Sequence, residues 1–202
     1  VYMFVLTDSI SCRVFCVQVV EHVMNGRHGT VFAYGATGSG KTYTMAGGGD
    51  GDNPENPGSI TPNFSVCVRA LNATSHVRCV GLMYLTISDL FKRVNSQKHP
   101  VAVKCSYMEI YNEAIRDLLD PSSSGQTLDL REDPSQGVSV AGITEYPMNG
   151  PEDVFTVLRE GAKRRTTDSH LRNQASSRSH AVLIISVNQH AGVRPRLNRL
   201  VA

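Results

Sequence analysis

Hydrophobic and polar positions follow two different periods along this sequence, and the periods separate predicted helices from predicted strands. Apolar residues at helical spacing predict helices over 14–25, 83–94 and 151–165. The third of these begins with acidic residues and ends with basic ones, which suits the helix dipole. The apolar stripes are Val14, Val17, Val20 and Met24, with Val23 beside them, in the first helix, and Met83, Ile87, Leu90 and Val94 in the second.

Short runs of β-branched and aromatic residues predict strands between these helices. Glycine-rich segments predict a turn over 35–40, followed by a helix from Lys41, and a loop over 47–58. Strands that alternate with helices predict an α/β layered domain. The predicted strands are Thr30–Tyr34, Val101–Tyr111, Leu128–Leu130, Val138–Val140 and Ala181–Val187.

Composition and charge narrow the class of protein. The 202 residues are 41% hydrophobic and 19% charged, which excludes a disordered chain and suffices for one hydrophobic core. The 20 Lys and Arg nearly balance the 18 Asp and Glu, so the net charge of +2 favours neither nucleic acid nor a membrane as partner. The apolar run Ala181–Ile185 is far shorter than the roughly 20 residues of a spanning helix. We therefore expect a soluble intracellular domain.

Cysteine and histidine usage predicts no structural metal. The five Cys residues are odd in number and include no Cys-x-x-Cys, which is typical of scattered reduced thiols. The seven His residues lack the spacing of a zinc site.

The segment Gly35–Thr42 satisfies the phosphate-binding pattern G-x-x-x-x-G-K-[ST] between a predicted strand and a predicted helix. Glycines let successive backbone N–H groups point at phosphates, and a helix N-terminus adds partial positive charge. Lys41 supplies a cation to the phosphate oxygens and Thr42 a hydroxyl to Mg²⁺. The motif predicts a P-loop NTPase and leaves open motors, GTPases, small-molecule kinases and transporter ATPases. The predicted binding residues are Gly35, Ala36, Thr37, Gly38, Ser39, Gly40, Lys41 and Thr42.

A second polar segment, Asn173–His180, immediately precedes the predicted strand Ala181–Val187. One interpretation is a serine-rich surface turn. The other is a loop that closes on a γ-phosphate, because hydroxyls can ligate Mg²⁺ or orient water and Arg can pair with a carboxylate.

Together these segments resemble the kinesin motor domain. Asn173–His180 matches the family's switch I signature, N-x-x-S-S-R-S-H, at every fixed position. Thr30–Met45 resembles its phosphate-loop block, and Met108–Leu119 resembles a strand-to-helix block. Leu128–Glu132, followed by Val140–Ile143, is similar to a region near the microtubule surface. The stretches that lean toward the kinesin-eight branch of the family are Ala36, Gly81–Thr86 and Leu130–Asp133.

The resemblance implies a P-loop NTPase fold of the kinesin type, with a central mostly parallel or mixed sheet and helices on both faces. It also implies an ATPase that uses ATP and Mg²⁺, has microtubules as its partner, and is located in the cytoplasm on the cytoskeleton. Tyr43 falls where the family packs a side chain beside adenine, and Arg165 occupies a basic position at the end of the helix before switch I.

Catalytic roles in the switch I segment also follow only from the resemblance. Asn173 would reach the phosphates, and Ser176 would help to place the attacking water. Ser177 would ligate Mg²⁺ together with Thr42. Arg178 would form a salt bridge to a glutamate of switch II.

The similarity covers 14–58 and 81–187, and three parts of the chain do not match. Residues 59–80 have no counterpart and are either a gene-model error or a genuine insertion. The ends 1–13 and 188–202 diverge, and no Asp-x-x-Gly of switch II occurs. We therefore expect a partial kinesin motor domain over 1–202.

Three functions stay open at this point: a microtubule motor ATPase, a catalytically incomplete kinesin that binds nucleotide only, and an unrelated P-loop NTPase. Dimerisation of the full-length protein through regions outside this chain is also open.

Overall fold

The computed structural model describes residues 9–36, 38–47, 81–123, 126–133, 137–167, 179–189 and 196–201. Its contacts divide the chain into two compact units. The first contains residues 1–101, 187–200 and 202, and the second contains residues 102–186 and 201. The predicted loop over 47–58 (beyond Gly47) and the unmatched segment 59–80 lie outside the described residues.

The first unit is built on helices α1 (Ser9–Met24), α2 (Lys41–Ala46) and α3 (Leu82–Asn95), and α3 packs against both of the others. The sheet strands β1 (Gly29–Thr30) and β8 (Arg196–Val201) pair with each other. The helices predicted over 14–25, from Lys41 and over 83–94 are thus confirmed in type, and the one predicted over 151–165 is confirmed by the helix Pro151–Thr167 of the second unit. Residues with no more than about 2% exposure in this core include Val20, Val23, Ile87, Leu90 and Leu200.

Helix α1 buries a face that only partly matches the predicted one. Val20 and Val23 are buried as predicted, but Val17 is 37% exposed, and Cys16 and Val19 are buried in addition. Valines lie on several sides of this helix, so their spacing alone does not select a face. Cys16 packs as a small apolar residue, with its thiol 3.9 Å from the carbonyl oxygen of Leu82 at the start of α3.

The predicted strand over Thr30–Tyr34 is wrong beyond its first residue, because β1 covers only Gly29–Thr30. Val31 is buried, but Phe32 is half exposed and Tyr34 is 96% exposed. β-Branched and aromatic residues favour extended backbone, but a strand also needs a hydrogen-bonded neighbour, which local sequence does not specify.

The second unit begins with a β-hairpin of β2 (Val101–Tyr111) and β3 (Ala114–Asp117), paired antiparallel. The two turn residues, Asn112 and Glu113, have φ angles of 47° and 65°, as a two-residue type I′ turn requires. The resemblance indicated a strand followed by a helix over 108–119, and the hairpin corrects that expectation. The strand β2 itself lies where the sequence predicted it.

Helix α4 (Pro151–Thr167) and strands β6 (Tyr146–Met148) and β7 (Ser179–Gln189) complete the described sheet region of this unit. The order is β7-β2-β3, and β6 also pairs with β2 antiparallel. Gly161 lets α4 approach β2 closely, since a Cβ there would overlap the ring of Tyr107. The predicted strand over 181–187 is confirmed within a longer β7, whose last three residues belong to the first unit.

A separate two-stranded sheet is formed by β4 (Leu130–Asp133) and β5 (Gly137–Val140), with Leu130 opposite Val140. The second of the two predicted strands is confirmed. The first was placed too early, because Leu128 instead forms an isolated bridge with Ile115 of β3. Leu128 of the predicted strand therefore pairs with β3, and β4 begins at Leu130.

The predicted α/β class is confirmed, with a mixed sheet and helices. Along the described part of the chain, no helix combines the length and apolar character needed to cross a membrane.

Candidate functional site

The glycine-rich turn before α2 has the backbone conformation that its glycines permit. Gly38 and Gly40 have φ angles of 81° and 87°, which L side chains rarely adopt. A Cβ at either position would meet no atom within 4 Å, so the space beside the backbone is open. The N–H of Ser39 donates to the carbonyl of Ala36 at 3.1 Å and closes the turn. Thr37, a predicted binding residue, lies outside the described residues.

Lys41, the first residue of α2, turns back over this loop. Its Nζ donates to the carbonyl oxygens of Gly35 at 2.8 Å and Ala36 at 2.7 Å. An ammonium has three donors, and both of these acceptors are neutral backbone groups. Charged acceptors such as phosphate oxygens form stronger hydrogen bonds with it. The loop thus presents a cation that can exchange weak acceptors for stronger ones.

The described part of this loop fits a bound nucleotide polyphosphate and its magnesium. Ser39, Gly40 and Thr42 are exposed, which leaves the Thr42 hydroxyl accessible from solvent. Across the described ranges, no cluster of three His, Cys, Asp or Glu could hold a metal ion. Magnesium is commonly held by few protein groups together with substrate phosphates and water, so the Thr42 hydroxyl is a suitable ligand. Tyr43 follows it and is half exposed, which suits stacking on a base.

The second predicted segment is only partly visible. Asn173, Ser176, Ser177 and Arg178 lie outside the described residues, so their roles stay predictions. The structure describes the last two residues of the signature, Ser179 and His180, at the start of β7. Ser179 is buried and His180 is exposed.

Arg165, near the end of α4, joins this strand to β2. Its Nε lies 3.3 Å from Oε1 of Glu109, and its Nη2 donates to the Ser179 hydroxyl at 2.8 Å and to the Ser179 carbonyl at 3.2 Å. The exposed fraction of the Glu109 side chain is 8%, and that of Arg165 is 27%. The sequence located Arg165 at the helix end but did not connect it to these partners. A carboxylate within a buried strand was the available signal, since a buried charge needs a partner.

The pKa values of two other titratable groups of β2 indicate that this region is shielded from water. Burial raises the pKa of the Cys105 thiol to about 12. Burial also raises the pKa of Tyr107, with the positive charge of Arg165 acting in the opposite direction. Charge pairs in such surroundings interact more strongly than at the surface, so the contact between Glu109 and Arg165 is well placed to hold its geometry.

Comparison with known proteins agrees with both sequence segments. The family model described as "Kinesin motor domain" matches residues 7–196. Kinesin-like protein KIN-8A of Oryza sativa subsp. japonica is 41% identical over 172 residues, which cover 84% of this chain and 18% of that protein. Kinesin-like protein KIF19 of Homo sapiens is 37% identical over 191 residues, which cover 95% of this chain and 16% of that protein.

A solved structure described as a fast kinesin superposes with a TM-score of 0.70 at 32% identity. The superposition covers 91% of this chain and 46% of the other. The chain thus spans less than a fifth of the length of these curated relatives and about half of the solved one.

Proposed function

The chain belongs to the kinesin motor domain family, and from this premise we propose that it binds MgATP through Gly35–Thr42 and hydrolyses ATP as part of a microtubule motor. Relatives that carry the names KIN-8A and KIN-8B support a place in the kinesin-eight branch. The solved fast kinesin is described in terms of its ATPase mechanism and its interactions with microtubules. We extend both to this protein, together with a location on the cytoplasmic microtubule cytoskeleton.

The position of Lys41 is the observation that carries the proposal. Its ammonium is held over the loop by the carbonyls of Gly35 and Ala36, beside backbone that is open at Gly38 and Gly40. In the proposed complex Lys41 exchanges these carbonyls for phosphate oxygens. Thr42 offers its hydroxyl to Mg²⁺, which when bound neutralises the charge that develops on the phosphates.

The switch I residues complete the proposed machinery. We assign Asn173 to phosphate binding, Ser176 to placing the attacking water, and Ser177 to Mg²⁺. Arg178 is assigned to a salt bridge. These assignments are supported by the match of Asn173–His180 to the family signature at every fixed position.

Binding of a fluorescent ATP analogue to this chain tests the nucleotide site directly. We expect the wild-type chain and the control variant Lys98→Ala to bind it in the presence of Mg²⁺, because Lys98 is exposed beyond the end of α3. Lys41→Ala should bind at least 30-fold more weakly, on the order of the loss of one strong charge-assisted contact. Equal affinities for Lys41→Ala and the wild type would contradict the proposed site.

ATP hydrolysis by the full-length protein tests the motor assignment. We expect added microtubules to stimulate the steady-state rate, and Lys41→Ala to abolish the stimulated rate while Lys98→Ala retains it. A protein that binds the ATP analogue but hydrolyses ATP at one rate with and without microtubules would contradict the motor while leaving the nucleotide site standing.

A further inference from the structure

We propose that Arg165 is a positioning residue that ties the end of α4 to the first residue of β7, and that Glu109 holds it in place. The inference rests on the proposed function, because Ser179 ends the segment whose preceding residues are assigned there to phosphate and Mg²⁺. The three side chains that make these contacts, Glu109, Arg165 and Ser179, are called the brace below.

Arg165 is held in place by a mostly buried carboxylate of β2. Glu109 lies in β2 among buried neighbours, and only 8% of its side chain is exposed. A carboxylate in such a position is costly to leave without a partner, and among the described residues Arg165 places its Nε 3.3 Å from Oε1 of Glu109. The guanidinium is therefore held from the side of β2, independently of any ligand.

The guanidinium that Glu109 holds also contacts the first residue of β7. Within the described ranges its other hydrogen bonds go to Ser179, where it reaches both the hydroxyl and the backbone carbonyl. Binding the carbonyl as well as the side chain constrains the backbone at the point where β7 begins. Arg165 also lies within the last turn of α4. One side chain thus joins the two described elements that residues 168–178 connect in sequence.

Arginine is better suited than lysine to make both sets of contacts. The planar guanidinium presents several N–H donors in fixed directions, so one group can serve a carboxylate and a serine at once. A lysine at the same position would carry the same charge to Glu109 but lacks the fork needed to hold both groups of Ser179. Charge and positioning are therefore separable by substitution, which makes Arg165→Lys the decisive variant.

Amide hydrogen exchange on the nucleotide-free chain tests the brace itself. In Arg165→Lys we expect exchange at the start of β7 to speed up by about tenfold, as loss of one or two hydrogen bonds predicts. The matched control Arg159→Ala should leave it unchanged, because the Arg159 side chain donates within α4 to Thr156. Ser179→Ala should reproduce part of the effect while it retains the ion pair between Arg165 and Glu109.

Nucleotide titration with and without Mg²⁺ tests the positioning role. For Arg165→Lys we expect the affinity for a fluorescent ATP analogue to fall by about tenfold with Mg²⁺, since small misplacements of site groups have effects of this order or larger. With EDTA it should change less than about twofold, because the contacts of Lys41 do not depend on the brace. Thermal melting should stay near the wild-type value, since the charge beside Glu109 remains.

Two results would overturn the proposal. The first is unchanged exchange at the start of β7 in Arg165→Lys. The second is Mg²⁺-dependent binding equal to the wild type in Arg165→Lys, combined with a lower melting temperature in Arg165→Ala, which would make the brace purely structural. If neither the wild type nor Arg159→Ala binds the analogue, the proposed function fails, and the exchange experiment alone decides whether the brace exists.

Discussion

Two cations lie at or beside the two family signatures, and the structure holds them in opposite ways. Lys41 is partly exposed and donates to two neutral carbonyls of its own loop. Arg165 is 27% exposed and is shared between the carboxylate of Glu109 and both polar groups of Ser179. The lysine contacts span five and six residues of sequence, whereas the ion pair of the arginine spans 56.

The difference shows how each cation can be used. Lys41 can leave its carbonyls at modest cost, because water or a phosphate can replace them. Arg165 cannot leave without stranding a buried carboxylate. A releasable cation suits ligand binding, and a fixed one suits positioning. The predictions below test whether that contrast holds, from the largest expected effect to the smallest.

Removal of the fixed cation should affect stability most. In Arg165→Ala the Glu109 carboxylate loses its partner in a mostly buried position, so we expect the free energy of unfolding to fall by about 3 kcal/mol. Urea denaturation measures it, with Arg159→Ala as the control. A loss below about 1 kcal/mol would show that the ion pair of Arg165 is as weak as a surface pair. The proposed difference between Arg165 and Lys41 would then not hold.

Removal of the releasable cation should affect binding and leave stability almost unchanged. Lys41→Ala should weaken binding of MgATP by about 100-fold, or about 2.7 kcal/mol. Its free energy of unfolding should stay within about 0.5 kcal/mol of the wild type, because water can replace the contacts of this partly exposed side chain. Calorimetric titration and urea denaturation of the same preparation measure both. A large loss of stability would show that Lys41 is structural after all.

Addition of a methyl group at Gly161, where α4 packs closely against β2, should disturb Arg165 indirectly. The Cβ of Gly161→Ala would overlap the ring of Tyr107 and lie 3.3 Å from Cβ of Leu118. Overpacking of this kind costs about 2 kcal/mol, which urea denaturation would detect. Because the helix must shift near Arg165, amide exchange at the start of β7 should also speed up. Unchanged exchange would mean that the brace tolerates movement of its helix.

Raising the pH above 9 should lower the free energy of unfolding, because the neutral thiol of Cys105 is buried in β2. Burial raises the pKa of Cys105 from 9.0 to about 12, so the stability that the buried thiol contributes is complete below pH 9 and is lost between pH 9 and 12. From pH 9 to pH 10 the loss should be about 1 kcal/mol. Denaturation at both pH values measures it, and in Cys105→Ala that part should vanish. Stability that is flat to pH 11 would contradict the prediction.

An exposed pair should show the smallest effect. Asp89 and Arg93 lie one turn apart on α3 with a contact of 2.9 Å, and both are about one-third exposed. Asp89→Asn should lower the free energy of unfolding by about 0.4 kcal/mol, since solvent screens such pairs. An effect equal to that of Arg165→Ala would show that burial is not what distinguishes the brace.

Local sequence was sufficient for the parts of the structure whose contacts are local. The glycines and Lys41 predicted the turn and the start of α2, because positive φ angles and the lysine contacts involve only neighbouring residues. Apolar spacing likewise predicted α3, whose Ile87 and Leu90 are buried as expected. The glycine-rich half of the candidate site was therefore predictable from the sequence.

The sequence alone was insufficient wherever distant residues had to meet. It placed the exposed Val17 on the buried face of α1, it extended the next strand too far, and it missed the hairpin partner β3. Each of these features depends on which distant segment packs or pairs with the element. The spacing of apolar residues carries no information about that segment. Tertiary structure alone brought Glu109 and Arg165 together across 56 residues, because burial, rather than spacing, decides which charges must pair.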